Sequence, residues 1–273
     1  MKSHFFSLLA LFFYLPVWGQ AVHELGAGVG GTFFLGDVGP YGVSAPKRMQ
    51  YSGFYRYQTH PHYALRVNFA QGSFAASDNE SGLPERQDRN MSFSTDFWEV
   101  SMRGEIFYLP QKMRSSSRQF SPYLYAGVGV MGFTPKGLYQ GAWIPLQPLG
   151  TEGQGTLLNP DPLYSQQTVV LPLGMGVRLR ASDLWTVGAE GGWSFTTSDY
   201  LDDVSGSYVS TAGLLALKGG AAAYFADPSL VVRDRTGLPR GNESTEDLTA
   251  HVQLYVALHL ETFLERCADF LHF

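Results

Sequence analysis

Residues 248–260 read L-T-A-H-V-Q-L-Y-V-A-L-H-L, with Leu248, Ala250, Val252, Leu254, Val256, Leu258 and Leu260 at strict period two. Successive side chains of a strand point to opposite faces, so this stretch predicts a strand with one apolar side. The other side carries Thr249, His251, Gln253, Tyr255, Ala257 and His259, a set suited to a crowded polar interior. If the apolar side faces lipid, no backbone group can stay unpaired. This last strand must then pair with the first strand of the chain and close a barrel.

The same alternation recurs upstream. Leu25, Ala27, Val29, Gly31, Phe33 and Leu35 alternate with Gly26, Gly28, Gly30 and Thr32 in a first strand with one nearly bare side. Strands follow at residues 51–57 and 63–69, the latter with Tyr63, Leu65, Val67 and Phe69 opposite Ala64, Arg66 and Asn68. A fourth sets Trp98, Val100, Met102, Gly104, Ile106 and Tyr108 against Glu99, Ser101, Arg103 and Glu105. A fifth spans 121–133. A sixth sets Val169, Leu171, Leu173, Met175, Val177 and Leu179 against Gly174, Gly176, Arg178 and Arg180. The seventh, 185–196, sets Trp185, Val187, Ala189, Trp193 and Phe195 against Thr186, Gly188, Glu190 and Ser194. Residues 74–92 read as a long polar connection.

Eight strands result, and their connections alternate long and short. A soluble sandwich has no reason to sort its loops by side, whereas outer-membrane barrels have tight periplasmic turns and long outer loops. The expectation is an all-β, eight-stranded antiparallel transmembrane β-barrel with long extracellular loops and short periplasmic turns. Tyr51, Tyr55, Tyr57, Tyr63, Trp98, Tyr108, Trp185, Trp193 and Phe195 fall near strand ends, where interfacial aromatic girdles sit.

So small a barrel has room inside only for its own side chains. Arg56, Arg66, Glu99, Arg103, Glu105, Arg178, Arg180 and Glu190 all take the inward phase. Both signs are present, so a salt-bridged plug is expected in place of a channel. Unpaired, such charges would each cost several kcal/mol to bury.

Composition agrees with an envelope protein: only 16% of residues are charged, 14% are aromatic, and 31 are glycine. A net charge of -5 without basic, aromatic-interleaved clusters argues against nucleic acid as a partner. The single cysteine, Cys267, excludes an internal disulfide. Residues 1–21 open with Lys2, run apolar from Phe5 to Leu15 and end on small residues, the pattern of a secretory signal peptide. The apolar core is roughly 11 residues, short of the ~20 a membrane helix needs. The barrel is assigned to 22–260 and a periplasmic tail to 261–273. In that tail Phe263, Leu264, Cys267, Phe270 and Leu271 fall near helical spacing, so it is either a barrel-assembly signal or a short helix at the barrel mouth.

Motifs for chemistry are sparse. Gly26, Gly28 and Gly31, and again Gly127, Gly129 and Gly132, match G-x-G-x-x-G, but neither match opens a helix, so phosphate binding is not expected. Neither a nucleophile elbow nor H-E-x-x-H occurs. His251 and His259 fall on the inward face, away from where a lipid hydrolase would need them. No enzyme activity and no cofactor is expected. Asp199, Asp202 and Asp203 lie just beyond the seventh strand and read either as calcium ligands or as a loop base paired to Arg233, Arg235 or Arg240.

Residues 148–155 (P-L-G-T-E-G-Q-G), 197–208 (T-S-D-Y-L-D-D-V-S-G-S-Y) and 234–242 with R-G-N resemble the PorG-type outer-membrane barrels of Bacteroidetes. So do H-E-L-G-A-G-V-G-G-T-F-F-L-G-D-V-G after the signal and F-S-P-Y-L-Y-A-G-V-G-V-M-G-F-T-P-K in the fifth strand. The resemblance implies residence in the outer membrane of a Gram-negative bacterium. It also implies a non-enzymatic part in type IX secretion, with the lipid bilayer and periplasmic ring proteins of the PorK and PorN type as partners. The turn 110–119, with Lys112, Arg114 and Arg118, is the candidate docking element, or else a solvated turn. The alternative function is a surface barrel that binds an external ligand or stabilises the envelope.

Overall fold

The computed structural model describes residues 21–40, 46–111 and 118–271. The signal segment 1–20 and turn residues Lys112 and Arg114 lie outside the described residues. The strands are β1 (Val22–Leu35), β2 (Arg48–His60), β3 (Tyr63–Ser77), β4 (Ser92–Phe107), β5 (Gln119–Tyr139), β6 (Ala142–Pro145), β7 (Gln167–Arg180), β8 (Trp185–Thr196) and β9 (Leu248–His259). Among the described residues four α-helices accompany them: α1 (Pro84–Arg89), α2 (Thr211–Lys218), α3 (Gly220–Ala226) and α4 (Leu260–Leu271).

Every barrel strand pairs antiparallel with its neighbours, in the order β4-β3-β2-β1-β9-β8-β7-β5, and β4 pairs with β5 to complete the ring. The seam between first and last strands runs from Glu24↔His259 to Leu35↔Leu248. That closure gives the backbone of Leu248–His259 a hydrogen-bonding neighbour on each side. No helix among the described residues is long and apolar enough to cross a membrane, and the crossing is made by strands.

The inside-outside phase follows the sequence alternation. Leu254 and Met175 are 66% and 58% exposed on the outer wall, while Gln253 and Tyr255, which flank Leu254, are buried inside. The glycine-bare inner faces are filled by rings from other strands. A Cβ on Gly26 would lie 2.2 Å from the Phe54 ring, and one on Gly192 would lie 2.1 Å from the Tyr125 hydroxyl.

The outer end departs from the expectation of long polar loops. β5 does not stop at Phe133: it continues to Tyr139, turns through Gln140 and Gly141, both at positive φ, and pairs with β6. Two positive-φ residues suit the right-handed twist of a two-residue hairpin. β6 is thus a ninth strand, attached to β5 beyond the ring. At 21 residues β5 spans roughly 70 Å, well over a tilted bilayer crossing.

The stretch 74–92 is likewise not simply a polar loop. Phe74 is a buried residue of β3, and its ring stacks on Phe34 at 5.5 Å. With Phe93, Phe133, Leu201 and Phe225 they form an apolar core at the outer mouth. The polar lumen therefore ends below a hydrophobic layer. The fifty-residue connection from β8 to β9 carries α2, capped where the Ser210 hydroxyl accepts from Gly213 N at 3.2 Å, and α3, joined to it by Gly219 at φ 90°.

Candidate functional site: a filled lumen beneath a folded cap

Inward-pointing charges from six strands form one chain of alternating sign. Arg178 on β7 donates to Glu24 on β1, and the other Glu24 oxygen accepts from Arg56 Nη1 at 2.6 Å. Arg56 grips Glu105 through Nε at 2.6 Å and Nη2 at 3.2 Å. Glu105 also lies 3.2 Å from Arg66 Nε. Arg66 then holds Glu190 with two bonds of 2.7 and 3.0 Å. Glu190 lies 3.6 Å from Arg103, which reaches Glu99 at 3.0 Å. Paired forks of this kind combine charge with fixed geometry.

Neutral groups take up further lone pairs. Tyr123 and Gln253 donate to Glu190 at 2.6 and 2.7 Å, and Ser194 and Ser101 donate to Glu99 at 3.0 and 2.8 Å. Aromatic faces pack on the cations: Arg56 lies 4.9 Å from the Phe54 ring centroid and Arg103 lies 5.1 Å from that of Tyr125. The gap beside Glu99, Arg103, His251 and Gln253 amounts to about 10 Å³, at the limit of what one water needs.

The structure thus brings seven of the eight named lumen residues into this chain. The eighth, Arg180, is buried at the inner rim and donates to the carbonyls of Ser182 and Asp183 at 3.3 and 3.2 Å. Glu24, which completes the chain, was missed. Carrying the inward phase of Gly26, Gly28 and Gly30 back by one step would have found it. His251 is buried in the lumen at 3.2 Å from the Tyr125 hydroxyl, and His259 is 2.9 Å from Thr186 Oγ1.

Above the lumen, a second centre is built on Glu152. Its Oε1 accepts from Arg240 Nη1 at 2.9 Å and from the backbone nitrogens of Ser205 and Gly206 at 3.0 and 3.1 Å. Its Oε2 accepts from Tyr200 at 3.2 Å and Gln154 at 3.3 Å. Arg240 also donates to the carbonyl of Phe225 at 3.1 Å, tying α3 to the centre. The passages 148–155, 197–208 and 234–242, far apart in the chain, meet here. No periodicity marks Glu152, because loop contacts carry none.

The three loop aspartates are buried around this centre but are not a uniform arginine-paired base. Asp203 accepts from Thr151 and Tyr164, each at 2.6 Å, with Arg240 at 3.8 Å. Asp202 accepts from the backbone nitrogens of Val38 at 3.2 Å and Val204 at 2.9 Å. Arg233 and Arg235 pair instead with Asp88 of α1, at 3.2 and 2.9 Å. The loop folds them toward α1, a direction local sequence does not specify. Burial pushes Asp199 up to about 7, with Asp37, Glu246 and Glu152 adding to the effect against a hydrogen bond from Ser205. Burial likewise raises Asp203 to about 6, and Asp202 and Asp247 well above the usual carboxyl range. Among the described residues no group of three acidic, imidazole or thiol side chains is placed to hold a metal.

An apolar outer wall, an aromatic-rimmed closed ring and a charged, filled interior define an eight-stranded membrane barrel of the outer-membrane type, and the outer membrane of a Gram-negative bacterium is its location. Its bilayer-facing surface is in contact with lipid. More particularly, the chain belongs to the DUF6089 family, described as a domain of unknown function, whose model matches residues 2–222. No curated protein matches the chain. Among solved structures it is similar to neisserial surface protein A (NspA), at 9% identity over 88% of this chain and 99% of that one, with a TM-score of 0.44. It is also similar to Ail, the attachment invasion locus protein of Yersinia pestis, in complex with the heparin analogue sucrose octasulfate (11% identity, 88% and 98% of the two chains, TM-score 0.41). The outer membrane enzyme PagL is another such structure (12% identity, 86% and 99%, TM-score 0.29).

Proposed function

We propose that this barrel is a non-enzymatic component of the type IX protein secretion machinery, anchoring or positioning a periplasmic ring of the PorK and PorN type at the outer membrane. The secretion role rests on the resemblance of the passages around Glu152, Asp199 and Arg240 to PorG-type barrels. The observation that carries a scaffold over a conduit is the unbroken chain from Arg178 and Glu24 to Glu99 and Arg103, which fills the lumen. A barrel so filled acts through its surfaces. On the periplasmic side the turn between β4 and β5 is the candidate contact, and its described member Arg118 is exposed. Deleting the chain and measuring secreted cargo tests the role: cargo should stay inside the cell. Cross-linking from the 110–119 turn in intact cells should capture a ring protein, and failure to do so counts against docking there.

A second reading, a surface barrel that binds an external ligand or stabilises the envelope, is favoured by the folded cap. Leu215, Leu217 and Val232 stand exposed on it. Intact secretion with altered envelope permeability after deletion would select this reading.

A further inference from the structure

The last strand passes without a loop into α4: His259 ends β9 and Leu260 begins the helix. Leu260, Phe263, Leu264 and Cys267 follow the i, i+3, i+4, i+7 spacing of one helix face. The barrel does not cover that face, because Phe263, Leu264 and Cys267 are all exposed.

The first turn of α4 is fixed to the outer side of the rim. The Glu261 carboxylate accepts from His23 N at 2.7 Å and lies 3.7 Å from His23 Nε2. His23 is one residue out of phase with the inward Glu24, so its ring stands on the outer wall, 5.1 Å from the Tyr57 ring and 5.9 Å from that of Tyr55. Those rings belong to the inner aromatic rim, the level at which headgroups meet acyl chains. The lipid-facing row Leu254, Val256 and Leu258 of β9 thus runs directly into the exposed face of α4.

We infer that α4 is an interfacial helix, lying in the headgroup layer of the inner leaflet with Phe263, Leu264 and Cys267 turned toward the acyl chains. The occupant of its bare face is lipid, because that face continues a wall already in lipid. The attraction is apolar rather than electrostatic: residues 260–271 carry Glu261, Glu265 and Asp269 against Arg266 alone. A zwitterionic leaflet therefore suffices. The helix needs no basic face of its own, since the barrel holds it at the membrane.

Cys267 is the sole cysteine and sits at the centre of the apolar face, so the unaltered chain can be labelled there. The test places a nitroxide on Cys267 of the full chain, refolded into phosphatidylethanolamine-containing vesicles with no other protein. Collision rates with oxygen and with a water-soluble nickel chelate are then compared. The expected result is several-fold preference for oxygen at Cys267 and the reverse preference for a label at Thr262→Cys in a Cys267→Ala chain, about 140° round the helix. Equal nickel access at both positions would overturn the proposal, as would a freely tumbling label at Cys267. Nickel protection at Cys267 that arises only on adding a periplasmic protein fraction would overturn it too, assigning the face to a protein partner.

Discussion

Arg56 on β2 and Arg66 on β3 are direct partners across the ladder, and Arg66 is in turn the direct partner of Arg103 on β4. Three like charges therefore stand side by side inside the barrel, an arrangement that is destabilising by itself. It persists because Glu105 lies between the first two and Glu190 between the second two. Glu105→Gln should leave Arg56 and Arg66 facing each other without a shared counter-charge. Breaking a buried pair costs about 3–5 kcal/mol, so the urea midpoint of the vesicle-inserted barrel should fall sharply. An unchanged midpoint would mean that the row is screened by something other than Glu105.

The seam between β1 and β9 depends on a bare backbone at Gly30. A Cβ there would lie 2.1 Å from the carbonyl oxygen of Val252 and 2.4 Å from the Gln253 Cβ. A backbone atom cannot swing aside as a long side chain can. Gly30→Ala should therefore push the closing strands apart and cost about 1–3 kcal/mol, the usual range for overpacking. Loss of heat-resistant compact migration in mild detergent electrophoresis checks it, with Gly104→Ala as the control, a strand position where an added Cβ would lie 3.9 Å from its nearest neighbour, the carbonyl oxygen of Ala126.

Glu152 collects five donors from residues spread between 154 and 240, so it is the point at which the cap is tied together. Bonds to a charged acceptor contribute roughly 1.5–3 kcal/mol each when lost from a buried site. Glu152→Gln should make the cap protease-sensitive in vesicles while the membrane-embedded strands remain protected. Mass spectrometry of the fragments, with cuts confined to the outer connections, is the check.

The Asp199 carboxyl titrates near 7 in the folded cap, against 3.8 for an ordinary aspartate. The folded state then binds the proton more tightly than the unfolded state, so stability falls as pH rises from about 4 to about 7. Asp202 and Asp247, also raised, push in the same direction. Hydrogen exchange of cap amides, corrected for intrinsic rate, should show stronger protection at about pH 5.5 than at about pH 8. Asp199→Asn should weaken that difference; an undiminished difference would place the titration elsewhere.

Period-two alternation, together with connections that alternate long and short, determined the barrel and its closure, and the alternation set the inward placement of Arg56, Arg66, Glu99, Arg103, Glu105, Arg178, Arg180 and Glu190, because a strand's side-chain phase is set by position along the chain. It did not say which carboxylate meets which arginine, since strand register and barrel stagger decide that Glu105 falls between Arg56 and Arg66. Nor did it reveal the cap. Glu152, Arg240 and Ser205 lie in loops without any repeating phase, and only the closed ring brings the ends of β5, β8 and β9 close enough for them to meet. The tail shows the same division. Helical spacing at Phe263, Leu264 and Cys267 was legible in the sequence, but the contact of Glu261 with His23, 238 positions away, is what puts that helix on the outer side of the rim.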